Sequence, residues 1–261
     1  MKLLSYLTIC KELIYADLLI FKQTIIDKWI DLAVWVTIST CVNAYIMPYF
    51  GVKADFGMFQ WCGVLSAIGI FELYSTSVDL LSDFEGDRII NYRLTLPIPS
   101  WLALLSKAVY FFIVYMVLSV GMLPVGKLCL WNMFDVTQVH YGKLFLTLMF
   151  QNMFCASFSL LSASLIKDMM HLGSIWSRYI FPMWFMGGFC FSWHALHAVF
   201  PTIAWIDLIN PMIYSTEAMR VSILGQEGYL NFWLCIGALA IFSVISLVWG
   251  MHNIKKRLDY V

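Results

Sequence analysis

The stretch Asp83–Ser100 reads DFEGDRIINYRLTLPIPS: Asp83, Glu85, Asp87, Arg88 and Arg93 fall within its first eleven positions, and Pro97 and Pro99 stand near its end. Long apolar runs flank it on both sides. Of the 261 residues, 61% are hydrophobic and 12% charged, against about a quarter charged in soluble domains. A bilayer core takes about 20 residues of helix to cross, and the apolar blocks reach that length. A soluble helical domain would instead set an apolar stripe against a charged face along each helix. The stretch is therefore a polar insert in an all-α integral membrane protein, a single domain over residues 1–261.

Six spans are expected around it: Trp29–Tyr49, Phe56–Leu81, Trp101–Pro124, Leu144–Ile166, Ile175–Phe189 and Tyr229–Trp249. Ahead of the first, Leu7, Leu13, Ile14, Leu18 and Phe21 recur at helical spacing among Lys11, Glu12, Asp17 and Lys22. That pattern suits a helix lying in the membrane surface over residues 1–26. Its lysines and acids continue beyond the short apolar start, unlike a cleavable signal peptide. Before the last span, residues 190–214 are aromatic and broken by Pro201 and Pro211; they read as a re-entrant segment buried against protein. Six spans put both termini and the insert on one side. That side holds twelve of the sixteen lysines and arginines, the other four, so the positive-inside rule makes it cytoplasmic.

Two motifs imitate chemistry. Gly121–Lys127, GMLPVGK, fits seven positions of a phosphate-binding loop, but Leu128 stands where a Ser or Thr would hold magnesium. It also follows a span rather than a soluble strand, and Pro124 with Gly126 reads better as a helix end. His194 and His197 lie i,i+3; zinc would need further ligands, such as Asp207 or His140, and interfacial histidines beside Trp193 are the better reading. The seven cysteines are scattered without a C-x-x-C pair and read as small apolar residues. No nucleophile–base spacing occurs, so no catalytic residue and no metal site are expected.

Within the second span, Glu72, Ser75, Thr76 and Asp79 share one helix face. A carboxylate in hydrocarbon costs about 2.5–3.5 kcal/mol, so that face should turn towards helices or water. Glu72 suits either a translocation path or a polar seam between helices. Tyr45, Trp61, Phe71 and Tyr74 could line a path for a bulky cargo, whereas Trp29, Tyr49, Trp101 and Trp249 suit an interfacial belt. In Ile209–Arg220, INPMIYSTEAMR, Asn210 can cap a helix that starts at Pro211, and Glu217 and Arg220 can neutralise each other at i,i+3 near the outer boundary.

This layout resembles the membrane subunit of ABC-2 type exporters. The local matches are Leu94–Lys107, LTLPIPSWLALLSK, similar to the family's turn into span three, and Ile209–Arg220, similar to its N-P-hydrophobic-x-Y…R segment. The insert departs from the family's commoner glycine–threonine pair, having EGDRIINYR instead. The resemblance implies two copies forming a homodimer in the bacterial inner membrane, each receiving a separate cytoplasmic ABC ATPase. ATP and magnesium would bind on that partner, with no cofactor on this chain; lipid and no nucleic acid would complete its surroundings. Residues 82–100 would then be the coupling insert. Asp83, Glu85, Asp87 and Arg88 would offer charge to the ATPase, and Ile89 and Ile90 an apolar anchor. The resemblance also implies export of an amphiphile, drug, lipid or lipid-linked glycan past Glu72, Tyr74, Trp61 and Tyr45. Asn210, Pro211, Tyr214, Glu217 and Arg220 would form an outer gate. The alternative reading is a stand-alone carrier in which Glu72 and Asp31 handle protons; such carriers often show inverted repeats, and no convincing one separates the halves here.

Overall fold

The computed structural model describes residues 2–53, 55–87, 92–93, 98–131 and 133–258. Among them every regular element is helical. Helix α1, Lys2–Cys41, contains neither proline nor glycine; at 1.5 Å per residue its length is about 60 Å, roughly twice a hydrocarbon core. The surface helix expected over 1–26 and the first span are thus one unbroken rod, because nothing in the sequence stops it. A π-turn and a 3-10 turn extend it to Phe50, and Gly51, at φ +89°, ends it.

Helix α2, Phe56–Ser82, runs on into a π-turn at Asp83–Asp87. Helix α3, Ser100–Cys129, starts directly after Pro99. Pro124 was expected to end the third span, yet α3 continues through it for five residues. Prolines are tolerated in spans when neighbouring helices close around the freed backbone. Gly126 is part of that closure: a Cβ there would fall 1.9 Å from Nε1 of Trp61, so only glycine lets the indole lie against the α3 backbone.

Helix α4, Tyr141–Leu165, completes the first half. The expected fifth span, Ile175–Phe189, is not a regular helix. Residues 172–189 alternate α and π segments: Leu172–Ile175, Trp176–Ile180, Phe181–Trp184 and Phe185–Phe189. Pro182 supplies no N–H to the ladder, and Gly187 and Gly188 leave helical geometry, Gly188 at φ +76°. Among the described residues five helices are long and apolar enough to span, where six spans were expected: α1 with its extension, α2, α3, α4 and the last. Between the segmented run and the last helix lie α5, Trp193–Val199, α6, Pro201–Asp207, and α7, Pro211–Leu224; α8, Phe232–Leu258, closes the chain.

Helix α2 is the hub. Of its most apolar stretch 78% is buried, against 22% in α1 and 33% in α8. Hydrogen bonds of the kind worth about 0.6 kcal/mol each between membrane helices set its register. Thr76 Oγ1 and Ser159 Oγ flank Tyr115 OH at 2.7 and 2.8 Å, joining α2, α3 and α4. Ser215 donates to Gln151 Oε1 at 3.0 Å, and Gln151 donates to Leu65 O at 3.3 Å, seating α7 between α4 and α2. Helices α1 and α3 run parallel: Cys10 reaches Leu102 O at 3.9 Å, Lys107 reaches Asp17 at 3.2 Å, and Tyr45 OH reaches Cys129 O at 2.7 Å. Arg257, near the end of α8, donates to Ile166 O at 2.6 Å and Lys167 O at 2.7 Å. The start of α1, the insert, the 166–171 turn and the end of α8 thus gather at one end, called here the insert end.

Candidate functional site

Two concentrations of buried charge stand at different levels of the bundle. At the insert end, α1, α2 and α3 enclose a cleft of about 460 Å³ lined by Asp17, Lys28, Asp79, Asp83, Arg93 and Lys107, with Phe21, Phe111 and Val114 as apolar wall. Arg93, two residues beyond the insert's central positions 89–91, sends both terminal nitrogens to the Asp17 carboxylate at 2.7 and 2.6 Å. Lys107 of α3 donates to the same carboxylate at 3.2 Å. Burial pulls the Arg93 guanidinium down, but the hydrogen bonds and charge of Asp17 outweigh it and hold Arg93 above its ordinary value. One carboxylate of α1 therefore joins the chain just past the insert to α3.

Higher in the same wall, Lys28 donates to Glu72 Oε2 at 2.5 Å and to Ser75 Oγ at 3.2 Å. Glu72 is therefore neutralised by a lysine of the neighbouring helix, the internal partner that its cost in hydrocarbon demands. Asp31 stays exposed.

The second concentration is the pair Glu217–Arg220 on α7. Both side chains are fully buried and lie 3.4 Å apart. Arg220 donates to three carbonyls where the segmented run turns back: Gly188 O at 2.5 Å, Phe189 O at 3.3 Å and Phe191 O at 2.8 Å. Its guanidinium carbon stands 3.6 Å from the ring centre of Phe59 on α2. Glu217 accepts from the backbone N–H of Trp193 at 3.0 Å and of Leu230 at 2.9 Å. The sequence suggests a pair that merely neutralises itself near a boundary. The structure gives a brace: two opposite charges that satisfy the loose backbone on both sides of α7.

The rest of the broken segment hangs on that brace. Trp193 Nε1 donates to Ala204 O at 2.9 Å, fastening α5 to α6. Asn210 Oδ1 accepts from Met212 N at 3.0 Å with Pro211 as the first helical residue, and Tyr214 OH donates to Leu208 O at 2.8 Å. Asp207 is buried; among the described residues only Asn210 Nδ2, at 3.4 Å, approaches its carboxylate, and Oδ2 has no partner. Burial, eased by Asn210, pushes its pKa up to about 6.

The path candidates do not converge. Trp61 is fully buried, edge-on to Phe134 at 4.9 Å, and fills the bundle rather than lining a passage. Tyr45 ties the far end of α1 to α3. Glu72 faces α1. Tyr74, 42% exposed, belongs to an aromatic wall with Trp176 at 5.4 Å, continued by Phe71 against Trp35 at 4.5 Å and Trp184 at 5.0 Å.

Among the insert residues, Asp83 is buried against the cleft rather than turned outward, because the π-turn continues the axis of α2. The side chains of Glu85 and Asp87, and all of Arg88, Ile89 and Ile90, lie outside the described residues. Asp17, Lys28, Arg93 and Lys107 were not singled out as a group from the sequence. The single positions carry a signal, though not their grouping: Asp17 interrupts an apolar stripe, and Lys107 is the seventh residue of the block that begins at Trp101. The phosphate-loop imitation lies inside α3, and His194 and His197 pack on Trp193 at 5.2 and 5.0 Å. Among the described residues no group of three potential metal ligands occurs.

A family model described as ABC-2 type transporter matches residues 19–224, from within α1 to the end of α7. No curated protein matches the chain.

Proposed function

The chain belongs to the ABC-2 type transporter family and is the membrane component of an ABC transporter; from that premise we propose that it forms the translocation path of an exporter driven by a separate cytoplasmic ATPase subunit. Two copies pair in the bacterial inner membrane with both termini and the insert cytoplasmic. Each insert docks in a groove of an ATPase, which carries the ATP and magnesium. Helices α5 and α6 dip into the outer boundary as a re-entrant hairpin; Val199, Phe200, Trp205, Ile206 and Ile209 expose apolar surface suited to that place. The cargo is an amphiphile, drug, lipid or lipid-linked glycan.

The observation that carries this reading is the double grip of Asp17 on Arg93 and Lys107. Force applied at the insert reaches Arg93, then α1 through the carboxylate and α3 through Lys107. A flexible loop would dissipate such a push; charge-assisted hydrogen bonds converging on one buried carboxylate would transmit it. Docking itself would fall to Glu85, Asp87, Arg88, Ile89 and Ile90, since Asp83 faces the cleft.

The test is co-expression with the ATPase subunit and co-purification. Ile89→Asp with Ile90→Asp, or Glu85→Lys with Asp87→Lys, should abolish recovery of the ATPase while the chain still inserts into membranes. Full recovery of the complex with unaltered ATP-driven transport in both variants would end the docking assignment.

A further inference from the structure

Two cysteines meet at the end of the bundle remote from the insert. Cys41 is the last residue of α1 and Cys129 the last of α3, and both are half-buried. A direct contact sets the two helix ends side by side: Tyr45, one turn beyond Cys41, donates its hydroxyl to the carbonyl of Cys129 at 2.7 Å. The parallel register of α1 and α3, set lower down by Cys10–Leu102 and Asp17–Lys107, carries the two helix ends to the same level. The remaining cysteines have other surroundings. Cys62, Cys155 and Cys235 are buried, Cys10 is at the insert end, and Cys190 is on the exposed turn of the segmented run.

We propose that Cys41 and Cys129 are a disulfide-forming pair, a covalent staple between α1 and α3. The oxidant is a second disulfide, small or carried by a protein. The Cys41 thiolate attacks one of its sulfurs, forming a mixed disulfide and releasing one thiolate. The Cys129 thiolate then attacks the Cys41 sulfur, closing the protein bond and expelling the second thiolate. Two protein thiols are oxidised, one external disulfide is reduced to two thiols, and the protons lost by the cysteines are taken up by the leaving thiolates. On the topology proposed above, this end faces the oxidising side of the membrane, where such bonds persist. The chemistry itself depends only on the two helix ends lying side by side, so the test below does not share the fate of that topology.

The staple would complement the ionic grip at the other end. Asp17–Lys107 holds α1 to α3 near the insert, and Cys41–Cys129 would hold them at the far end, so that the two helices move as one body. Closing a loop of this length restricts the unfolded chain, which raises stability.

The experiment uses the purified full chain in detergent, equilibrated with oxidised or reduced glutathione, blocked with N-ethylmaleimide and digested for mass spectrometry. A peptide pair linked through Cys41 and Cys129 is expected after oxidised glutathione only, with a Tm a few degrees above that of the reduced sample. Cys41→Ser should remove both the linked pair and the Tm difference. Complete maleimide labelling of both residues after oxidised glutathione, or a Cys41 link between two separate chains, would overturn the assignment.

Discussion

The brace at Glu217–Arg220 and the cleft around Asp17 contain the same chemistry, a carboxylate holding a guanidinium, yet they are built for different purposes. In the brace both side chains are 0% exposed. Its charges are spent largely on backbone carbonyls and N–H groups that the turn at Gly188 and the entries to α5 and α8 leave open. In the cleft, the Asp17 side chain is 4% exposed, but the side chains of its partners Arg93 and Lys107 are 10% and 18% exposed and face open volume. Burying a charge pair does not by itself stabilise a fold, because desolvation can outweigh attraction. What makes the brace rigid is the number of orphan backbone groups it satisfies. What makes the cleft a joint is that Asp17, Arg93 and Lys107 come from three separate segments with room between them.

Arg220 gives the largest expected effect and the most direct way to break that contrast. Arg220→Met would leave Glu217 buried without a counter-charge and strip three carbonyls of their donor, a loss of about 3–5 kcal/mol. Thermal unfolding in detergent should show it, with little folded chain recovered from membranes. Adding Glu217→Gln should recover part of the loss, since the stranded charge is then gone. If the single variant unfolds like the parent, the brace is incidental.

Asp17→Asn sharpens the comparison from the other side. It removes the negative charge and one of the two acceptor oxygens that hold Arg93 and Lys107, whose charge-assisted hydrogen bonds are worth about 1.5–3 kcal/mol in such settings, but water in the cleft can solvate both cations. The loss of stability should sit at or below the lower end of that range and shrink further at high salt. Coupling should suffer more than folding: ATP hydrolysis by the assembled transporter would persist while transport falls. Equal destabilisation in Asp17→Asn and Arg220→Met would erase the distinction between joint and brace.

The sequence made one of these regions more legible than the other. Composition alone gave the helical membrane class, and Asn210-Pro211 marked the start of α7, since a capping side chain followed by proline is a local signal. The pairing of Glu217 with Arg220 was visible at i,i+3, but its partners were not: Gly188, Trp193 and Leu230 become neighbours only when the segmented run folds back. The joint at Asp17 was invisible as a unit because its members lie 76 and 90 residues apart. Of the six expected spans, the fifth is the one that no long regular helix matches among the described residues. Residues 175–189 are oily enough for a span, and only Pro182 with Gly187-Gly188 warned that the ladder would break. Pro124 misled in the opposite direction, because packing against Trp61 keeps α3 helical through a residue that ends helices in isolation.

Asp207 offers the smallest effect and the finest separation of burial from satisfaction. It is as buried as Asp17, at 5% against 3% exposed over the whole residue, but has no cation beside it among the described residues, and burial, only partly offset by Asn210, raises its pKa from 3.8 to about 6. The folded chain therefore binds a proton more readily than the unfolded chain does. Its stabilising contribution is full below pH 3.8, declines as pH rises towards about 6, and is constant above that. Other carboxylates, such as Asp135 and Asp168, are held below their ordinary value by hydrogen bonds from Thr137 and His171 and act in the opposite sense. The measurement is thus the Tm of the parent minus that of Asp207→Asn, followed across the same window. The difference should fall as pH rises, because the amide imitates the protonated acid at every pH. A difference that stays level would mean that Asp207 is ionised throughout and has water or a cation beside it. Burial at the α6–α7 junction would then carry no proton, and the contrast between satisfied and unsatisfied charge would rest on the brace and the cleft alone.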